Sequence, residues 1–180
     1  MTDIKYAFKD FEKDLMARAS GRDLDISTKQ AIEICSFLRN KKLQRAKQIL
    51  KNVMEKKEAI PFKRFTDGLG HKRGNIAAGR FPFKASSRML KLLESVEANA
   101  QSKGLNTSDL EIIHICANIA HRPMHHGRQS RRLFKRTHVE VVVKETAKKE
   151  KAAKGRKSAS EAPKKSKSAP KAGEKPEVSQ

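Results

Sequence analysis

LEIIHICANIA (residues 110–120) and THVEVVVKE (residues 137–145) are the two segments on which the predicted architecture rests. The second alternates apolar and polar residues, which is typical of a β-strand with one buried face. The first is β-branched and apolar on both faces, which favours a strand in the centre of a sheet. Because the stretch between them is polar and contains a glycine, the two segments are predicted to pair as a long β-hairpin.

A further strand and a first helix are predicted upstream of this hairpin. Residues 15–26 contain small and apolar residues in partial alternation, which indicates a strand. The helix is predicted to begin at Ser27, with Gln30 three residues later as the partner in a capping box. Apolar residues then recur at helical spacing as far as Leu38.

Two more helices complete the predicted body. The second carries an apolar stripe from Leu43 to Met54, and Pro61 prevents its continuation. The third spans about residues 85–103, before Gly104, which is a natural C-terminal cap. The sequence therefore predicts an α+β fold, in which a three-stranded antiparallel sheet packs with about three helices and a long β-hairpin protrudes.

The composition separates a body, residues 1–145, from a basic tail, residues 146–180. The tail consists almost entirely of Lys, Ala, Ser, Pro, Glu and Gly, and Val178 is its one large apolar residue. Such a segment cannot bury enough apolar surface to offset the entropy lost on ordering. The tail is therefore predicted to be disordered, and the body to form one domain whose hairpin spans about residues 110–145.

The net charge points to a polyanionic partner. The chain has 41 Lys and Arg against 20 Asp and Glu, a formal charge of +21, which repels itself unless an RNA, DNA or anionic membrane neutralises it. A membrane-spanning helix is not predicted, because no run of about 18 apolar residues occurs. Cys35 and Cys116 lack CxxC spacing and are predicted to be buried thiols in a reducing cytosol.

The first basic region, residues 60–84, is rich in glycine and proline and is predicted to be a loop. Asp67 is its single acid. The side chains predicted to contact phosphates are Lys63, Arg64, His71, Lys72, Arg73, Arg80 and Lys84. Phenylalanines at positions 62, 65, 81 and 83 interleave with these cations. They could stack on unpaired bases or pin the loop to the body, and the sequence leaves both alternatives open.

The second basic region, residues 121–138, contains no acid and is the strongest functional signal in the chain. Arg outnumbers Lys here, and Arg can grip a phosphate with two parallel hydrogen bonds or stack on a base. Gly127 supplies the conformational freedom that a turn needs. The residues predicted to bind RNA are Arg122, His126, Gly127, Arg128, Arg131, Arg132, Lys135 and Arg136.

Catalytic and metal chemistry are not predicted. His121, His125, His126 and Cys116 could be considered as zinc ligands, but the HxxxHH spacing does not bring three ligands together on a strand and turn, and nearby arginines oppose a cation. No positioned nucleophile, base and carboxylate can be recognised, and GLGHKRG lacks the strand and helix that a dinucleotide site requires. His114, on an apolar strand, is predicted to be a hydrogen-bonded structural residue. We therefore expect neither an enzyme nor a cofactor.

Several long stretches resemble the universal large-subunit ribosomal protein family numbered twenty-two, in its archaeal and eukaryotic form. They are GRDLDISTKQAIEIC (21–35), AIPFKRF with GHKRG (59–74), AGRFPFKA (78–85), LKLLESVEANAQSKGL (90–105), HGR (126–128) and HVEVVV (138–143). The resemblance implies a structural constituent of cytoplasmic ribosomes. It implies a small body near the polypeptide exit and a hairpin that reaches through rRNA to the tunnel wall. Its implied partners are large-subunit rRNA, neighbouring ribosomal proteins and a nascent polypeptide.

The resemblance also bears on the end of the hairpin. Arg122, Pro123, Gly127 and Arg128 fall on the basic tip motif of the family. The tip reads RPMHHGR, whereas the family is usually richer in Arg and Ala, and the strand before it is several residues shorter.

Two other classes of protein compete with this interpretation. A free nucleic-acid-binding architectural protein would suit the Lys-Ala-Pro-Ser tail, and co-sedimentation with DNA rather than with ribosomal subunits would favour it. An arginine-rich hairpin suits irregular folded RNA better than a DNA groove. An RNA-modifying enzyme would require a cofactor pocket or a cluster of catalytic carboxylates, and the sequence contains neither pattern.

Overall fold

A three-stranded antiparallel sheet and three helices form the computed structural model, which describes residues 5–146. Along the chain, the elements are β1 (Met16–Leu24), α1 (Thr28–Leu38), α2 (Leu43–Met54), β2 (Ile60–Pro61), β3 (Gly79–Arg80), α3 (Phe83–Ser102), β4 (Leu110–Ile119) and β5 (Thr137–Glu145). The predicted α+β class, the three helices and the hairpin are confirmed. The predicted tail, apart from Thr146, lies outside the described residues.

The strand order in the sheet is β1-β5-β4, and both pairings are antiparallel. Met16 lies opposite Lys144 at one end of the β1–β5 pair, and Ile119 lies opposite Thr137 at one end of the β4–β5 pair. The central strand is therefore β5, with Val141 and Val143 fully buried. The prediction that residues 110–120 form the central strand is wrong, because β4 is at the edge of the sheet.

The apolar character of β4 on both faces has another cause. One face packs on the helices, and the N-terminal residues of the described chain lie against the other. The Phe8 ring is 5.5 Å from the His114 ring on β4, and the Ala7 N–H donates to the Glu140 carboxylate on β5 at 3.0 Å. Because this segment covers an edge strand, β4 meets apolar surroundings on both faces without being central.

The core lies between the sheet and the helices. Helix α1 packs against β4, α3 packs against β1, and α2 packs against α3. Ile34 of α1 is fully buried, and Leu93 of α3 is 1% exposed, as their positions on apolar stripes predict. Every helix within residues 5–146 is too short or too polar to span a lipid bilayer.

The two predicted helix caps have different outcomes. At the end of α3, the Gly104 N–H donates to the Gln101 carbonyl at 2.9 Å and the Leu105 N–H to the Ala100 carbonyl at 3.0 Å. With Gly104 at φ +76°, this is the glycine-capped end that was predicted. Ser27 occupies the N-cap of α1, but its side chain makes no capping hydrogen bond, so the predicted capping box is wrong.

A tertiary contact holds the start of α1 instead of a capping box. The buried hydroxyls of Thr28 and Thr137 are 2.9 Å apart, and Thr137 also donates to the Ile26 carbonyl at 3.0 Å. The helix start is thereby fixed to the first residue of β5. The orientation of α1 therefore depends on the base of the hairpin.

Candidate nucleic-acid interface

The first basic region is a folded loop rather than a free segment. A two-residue ladder closes it, with Ile60 opposite Arg80 and Pro61 opposite Gly79. Within the loop, the Lys72 N–H donates to the Ala77 carbonyl at 2.9 Å. The cations of the loop are exposed, and they are Lys63, Arg64, His71, Lys72 and Arg73, together with Arg80 on β3.

A buried acid anchors the start of this loop. Glu33 of α1 is 3% exposed. Its carboxylate accepts backbone hydrogen bonds from three consecutive residues, Lys63 at 3.1 Å, Arg64 at 2.7 Å and Phe65 at 2.9 Å. The prediction from sequence missed Glu33, because a carboxylate on a helix is normally read as solvent-facing. The one available signal was its position between the buried Ala31 and Ile34.

The four phenylalanines of this region divide between the two alternatives. Phe62 is 6% exposed and lies in the core, so it pins the loop and cannot stack on a base. Phe65 packs against the core and lies beneath the Arg64 guanidinium at 5.4 Å. Phe81 is half-buried. Phe83 is 62% exposed on the first turn of α3, so a base could stack on it.

The second basic region continues the hairpin beyond β4 and β5. The Ala120 N–H donates to the Arg136 carbonyl at 3.2 Å, and the His125 N–H donates to the Arg132 carbonyl at 2.8 Å. The rings of His125 and Phe134 stack at 3.6 Å across the two arms. The hairpin then turns through a short 3-10 helix at Gly127–Gln129.

The end of the hairpin presents its cations to solvent. The exposed side chains among the predicted site residues of this region are Arg122, His126, Arg128, Arg131, Arg132 and Lys135. Gly127 has φ +66°, as a turn residue requires, and a side chain there would meet open space. Arg132 donates to the Gln129 side chain at 3.2 Å, a contact within the tip.

Two of the predicted RNA-binding arginines also contact the body. Arg136 is half-buried and donates to the Asp23 carbonyl at 3.0 Å. A nitrogen of Arg122 lies 3.5 Å from the Thr28 hydroxyl. Both contacts lie at the base of the hairpin. These arginines therefore help to hold the hairpin against β1 and α1.

A cleft of about 830 Å³ lies between the hairpin and the start of α3. Lys84 belongs to the first turn of α3 rather than to the predicted loop, because the helix begins two residues earlier than expected. The Asp25 carboxylate pairs with Lys84 at 2.8 Å and with Arg88 at 2.9 Å. Hydrogen bonds from these two cations hold the pKa of Asp25 well below its usual range.

Four of the predicted site residues line this cleft or a second one. Lys84 lines the same cleft as Lys135 and Arg136 of the hairpin, and Arg88 adds a cation that the prediction from sequence missed. Lys63 lines a separate cleft of about 620 Å³ beside the end of α1. Lys41 also lines that second cleft, where burial lowers its pKa.

A cluster of potential metal ligands lies away from both basic regions. One ligand atom from each of His114, Cys116 and Glu140 lies within 4.8 Å of the others. The Cys116 thiol donates to the Glu140 carboxylate at 2.9 Å, and burial raises the pKa of this thiol to about 12. We therefore interpret the cluster as a hydrogen-bonding network between strands. The buried Nε2 of His114 has no hydrogen-bond partner among the described residues, so the prediction of a hydrogen-bonded histidine is wrong for this atom.

Comparison with known proteins identifies the family. The family model for ribosomal protein L22p/L17e matches residues 19–144. The large ribosomal subunit protein uL22 of Methanoregula boonei is 41% identical over 155 residues, which cover 82% of this chain and all of that protein. The protein of the same name from Methanococcus aeolicus is 43% identical over 136 residues, covering 72% of this chain and 89% of that protein.

The matched region contains the whole sheet except the first three residues of β1 and the last residue of β5, as well as both basic regions. The uL22 protein of Archaeoglobus fulgidus extends the agreement, with 39% identity over 150 residues, covering 79% of this chain and 97% of that protein. The basic loop and the basic hairpin of this chain therefore both lie within the region that the family model matches. This chain belongs to the ribosomal protein L22p/L17e family.

Proposed function

We propose that this protein is a structural constituent of the large subunit of cytoplasmic ribosomes and that it binds large-subunit rRNA. The observation that carries the proposal is the acid-free end of the hairpin, where arginines such as Arg128, Arg131 and Arg132 are exposed. Cations that are exposed and lack an acidic partner remain available for phosphates. The names of the archaeal relatives, which are large ribosomal subunit proteins, support the same role.

RNA recognition in this proposal is mainly electrostatic. Arg side chains at the end of the hairpin grip phosphates, and Lys63, Arg64 and Lys72 of the folded loop provide a second set of contacts. The proposed rRNA-binding domain comprises residues 1–145, and the basic tail, residues 146–180, adds further positive charge. The role is structural rather than catalytic and needs no cofactor.

The proposed position of the protein follows from the family. The body would lie at the subunit surface near the polypeptide exit, in contact with neighbouring ribosomal proteins, and the hairpin would extend toward the tunnel and a nascent polypeptide. The paired arms beyond β4 and β5 support such an extension, since Met124 still lies opposite Leu133. Both of these apolar side chains are largely exposed, as expected for a segment that another molecule covers.

The decisive experiment measures binding to a transcript of large-subunit rRNA from 50 to 500 mM salt, with a DNA duplex as competitor. Each phosphate contact releases counterions, so we expect affinity to fall steeply and linearly on logarithmic axes. The rRNA should also outcompete the duplex at equal phosphate concentration. A nearly flat salt dependence would contradict the electrostatic mechanism. Preference for the duplex would favour a free architectural protein.

A further inference from the structure

One acid lies directly beneath the basic loop and is almost completely removed from solvent. The Glu33 carboxylate is 3% exposed and accepts three backbone N–H groups, from Lys63, Arg64 and Phe65. Successive N–H groups that converge in this way form a concave anion site in the backbone. The loop supplies the donors, and α1 supplies the anion.

We propose that Glu33 is a positioning residue for rRNA binding, an inference that rests on the proposed function. Its hydrogen bonds fix the backbone of Lys63 and Arg64 while both side chains remain exposed. The carboxylate is occupied by backbone donors, so it does not compete with RNA for either cation. A negative charge within the RNA-binding face thus strengthens binding, because it holds two positive charges in place.

The contacts on the loop explain why no other group can easily replace Glu33. A carboxylate offers acceptors to all three N–H groups, whereas a Gln amide has one acceptor oxygen and a nitrogen that is itself a donor. With Gln at position 33, at least one of these three backbone N–H groups loses its carboxylate acceptor. Phe62 then remains as the nearest anchor of the loop, since it is buried in the core.

The inference and simple electrostatics predict opposite changes in RNA affinity when Glu33 loses its charge. Removing an acid from a chain of net charge +21 should strengthen binding to a polyanion. If Glu33 instead orders the loop, its removal forces RNA to order that backbone on binding. The entropy of ordering weakens binding by about five- to thirtyfold for each residue released.

The chain contains a matched control for the loss of charge. Asp67 lies in the same loop, is exposed, and has no hydrogen bond through its side chain among the described contacts. Asp67→Asn should therefore follow simple electrostatics and strengthen RNA binding by about two- to fivefold. The two substitutions remove the same charge, but only Glu33 is expected to order the backbone.

The test compares the 180-residue chain with its Glu33→Gln and Asp67→Asn variants on the same large-subunit rRNA transcript. We expect Glu33→Gln to bind at least about fivefold more weakly, and Asp67→Asn to bind more tightly. An RNA footprint should lose the protections made by the loop and keep those made by the hairpin. If both variants bind more tightly, or if Glu33→Gln weakens both footprints equally, the inference is wrong.

A second variant addresses the case in which Glu33→Gln does not fold. Glu33→Asp keeps the negative charge, but its side chain is one methylene shorter, so its carboxylate cannot hold the Lys63, Arg64 and Phe65 N–H groups in their present positions. This variant should show the same selective loss of the loop footprint, and an unchanged footprint would overturn the inference. Failure of the proposed function is recognised separately, because the unmodified chain would then show no salt-dependent binding to the transcript.

Discussion

Reversing the charge of two arginines at the hairpin end separates folding from RNA binding. Arg128 and Arg132 are exposed, and the one side-chain hydrogen bond described for them runs from Arg132 to Gln129 within the tip. The double substitution Arg128→Glu and Arg132→Glu should therefore change the free energy of unfolding by no more than about 0.5 kcal/mol. It also reduces repulsion among the neighbouring cations.

The expected effect on RNA binding is much larger. Two unit charges 4 Å apart in a water-like environment interact by about 1 kcal/mol, and the exposure of both arginines makes this environment appropriate. Changing an attraction into a repulsion at two sites amounts to about 4 kcal/mol before screening by salt. At a Debye length of about 8 Å, the affinity should fall by about 50- to 1,000-fold. The logarithmic salt slope should also decrease by about two.

Thermal unfolding of the free protein and titration of the rRNA transcript test both expectations. The control is Arg45→Glu with Lys51→Glu, which reverses two exposed cations on α2, outside the proposed interface. The control should lose much less affinity than the tip variant. Equal losses would mean that net charge, rather than the position of the hairpin cations, determines binding. A tip variant that unfolds would show that these arginines are structural.

Three further predictions concern the core, the ion pairs of Asp25 and the turn at Gly127. Leu93→Ala should lower the free energy of unfolding by about 2–5 kcal/mol in a denaturant titration, because Leu93 is 1% exposed, and a loss below about 0.5 kcal/mol would contradict its burial. Lys84 and Arg88 lower the pKa of Asp25, so the stability that these ion pairs contribute is fully present above the usual Asp pKa near 4 and is lost as pH falls from there through the lowered pKa. The stability difference between the unmodified chain and Asp25→Asn should therefore close under acid, and a constant difference would refute the role of the charge. Gly127→Val should cost about 1–2 kcal/mol, because Gly127 has φ +66°, whereas Gly127→Asn should cost less.

The alternation of β5 and the apolar stripes of the helices were enough to predict the α+β fold. These patterns report which side of an element is buried, and a regular sheet and three helices satisfy them. Periodicity does not report what covers a buried face. The apolar faces of β4 therefore suggested a central strand, whereas contacts such as Phe8 with His114 explain them at the edge of the sheet.

The candidate interface was predictable where charge clusters along the sequence and not where it depends on tertiary contacts. The cations of the hairpin end are neighbours in the chain, so their concentration is visible without a structure. The anchoring of residues 63–65 depends on Glu33, which lies 30 residues earlier than Lys63. Likewise, Lys84 and Arg88 lie one turn apart on α3, but their shared partner Asp25 is 63 residues away from Arg88 in the chain. Such partnerships arise from packing, and residue type does not encode them.

The central position of β5 has a consequence for the order of folding during synthesis. Both β1 and β4 pair with β5, and Met16 meets Lys144 across more than a hundred residues of chain. Neither outer strand has its neighbour in this sheet until the residues of β5 have been made. The helices can form from local contacts earlier, whereas closing the sheet requires long loops to be ordered, which slows folding. A growing chain that stops before residue 137 would leave β1 and β4 unpaired and open to aggregation. The RNA-binding hairpin also needs β5, so it cannot form before the residues of β5 have been synthesised.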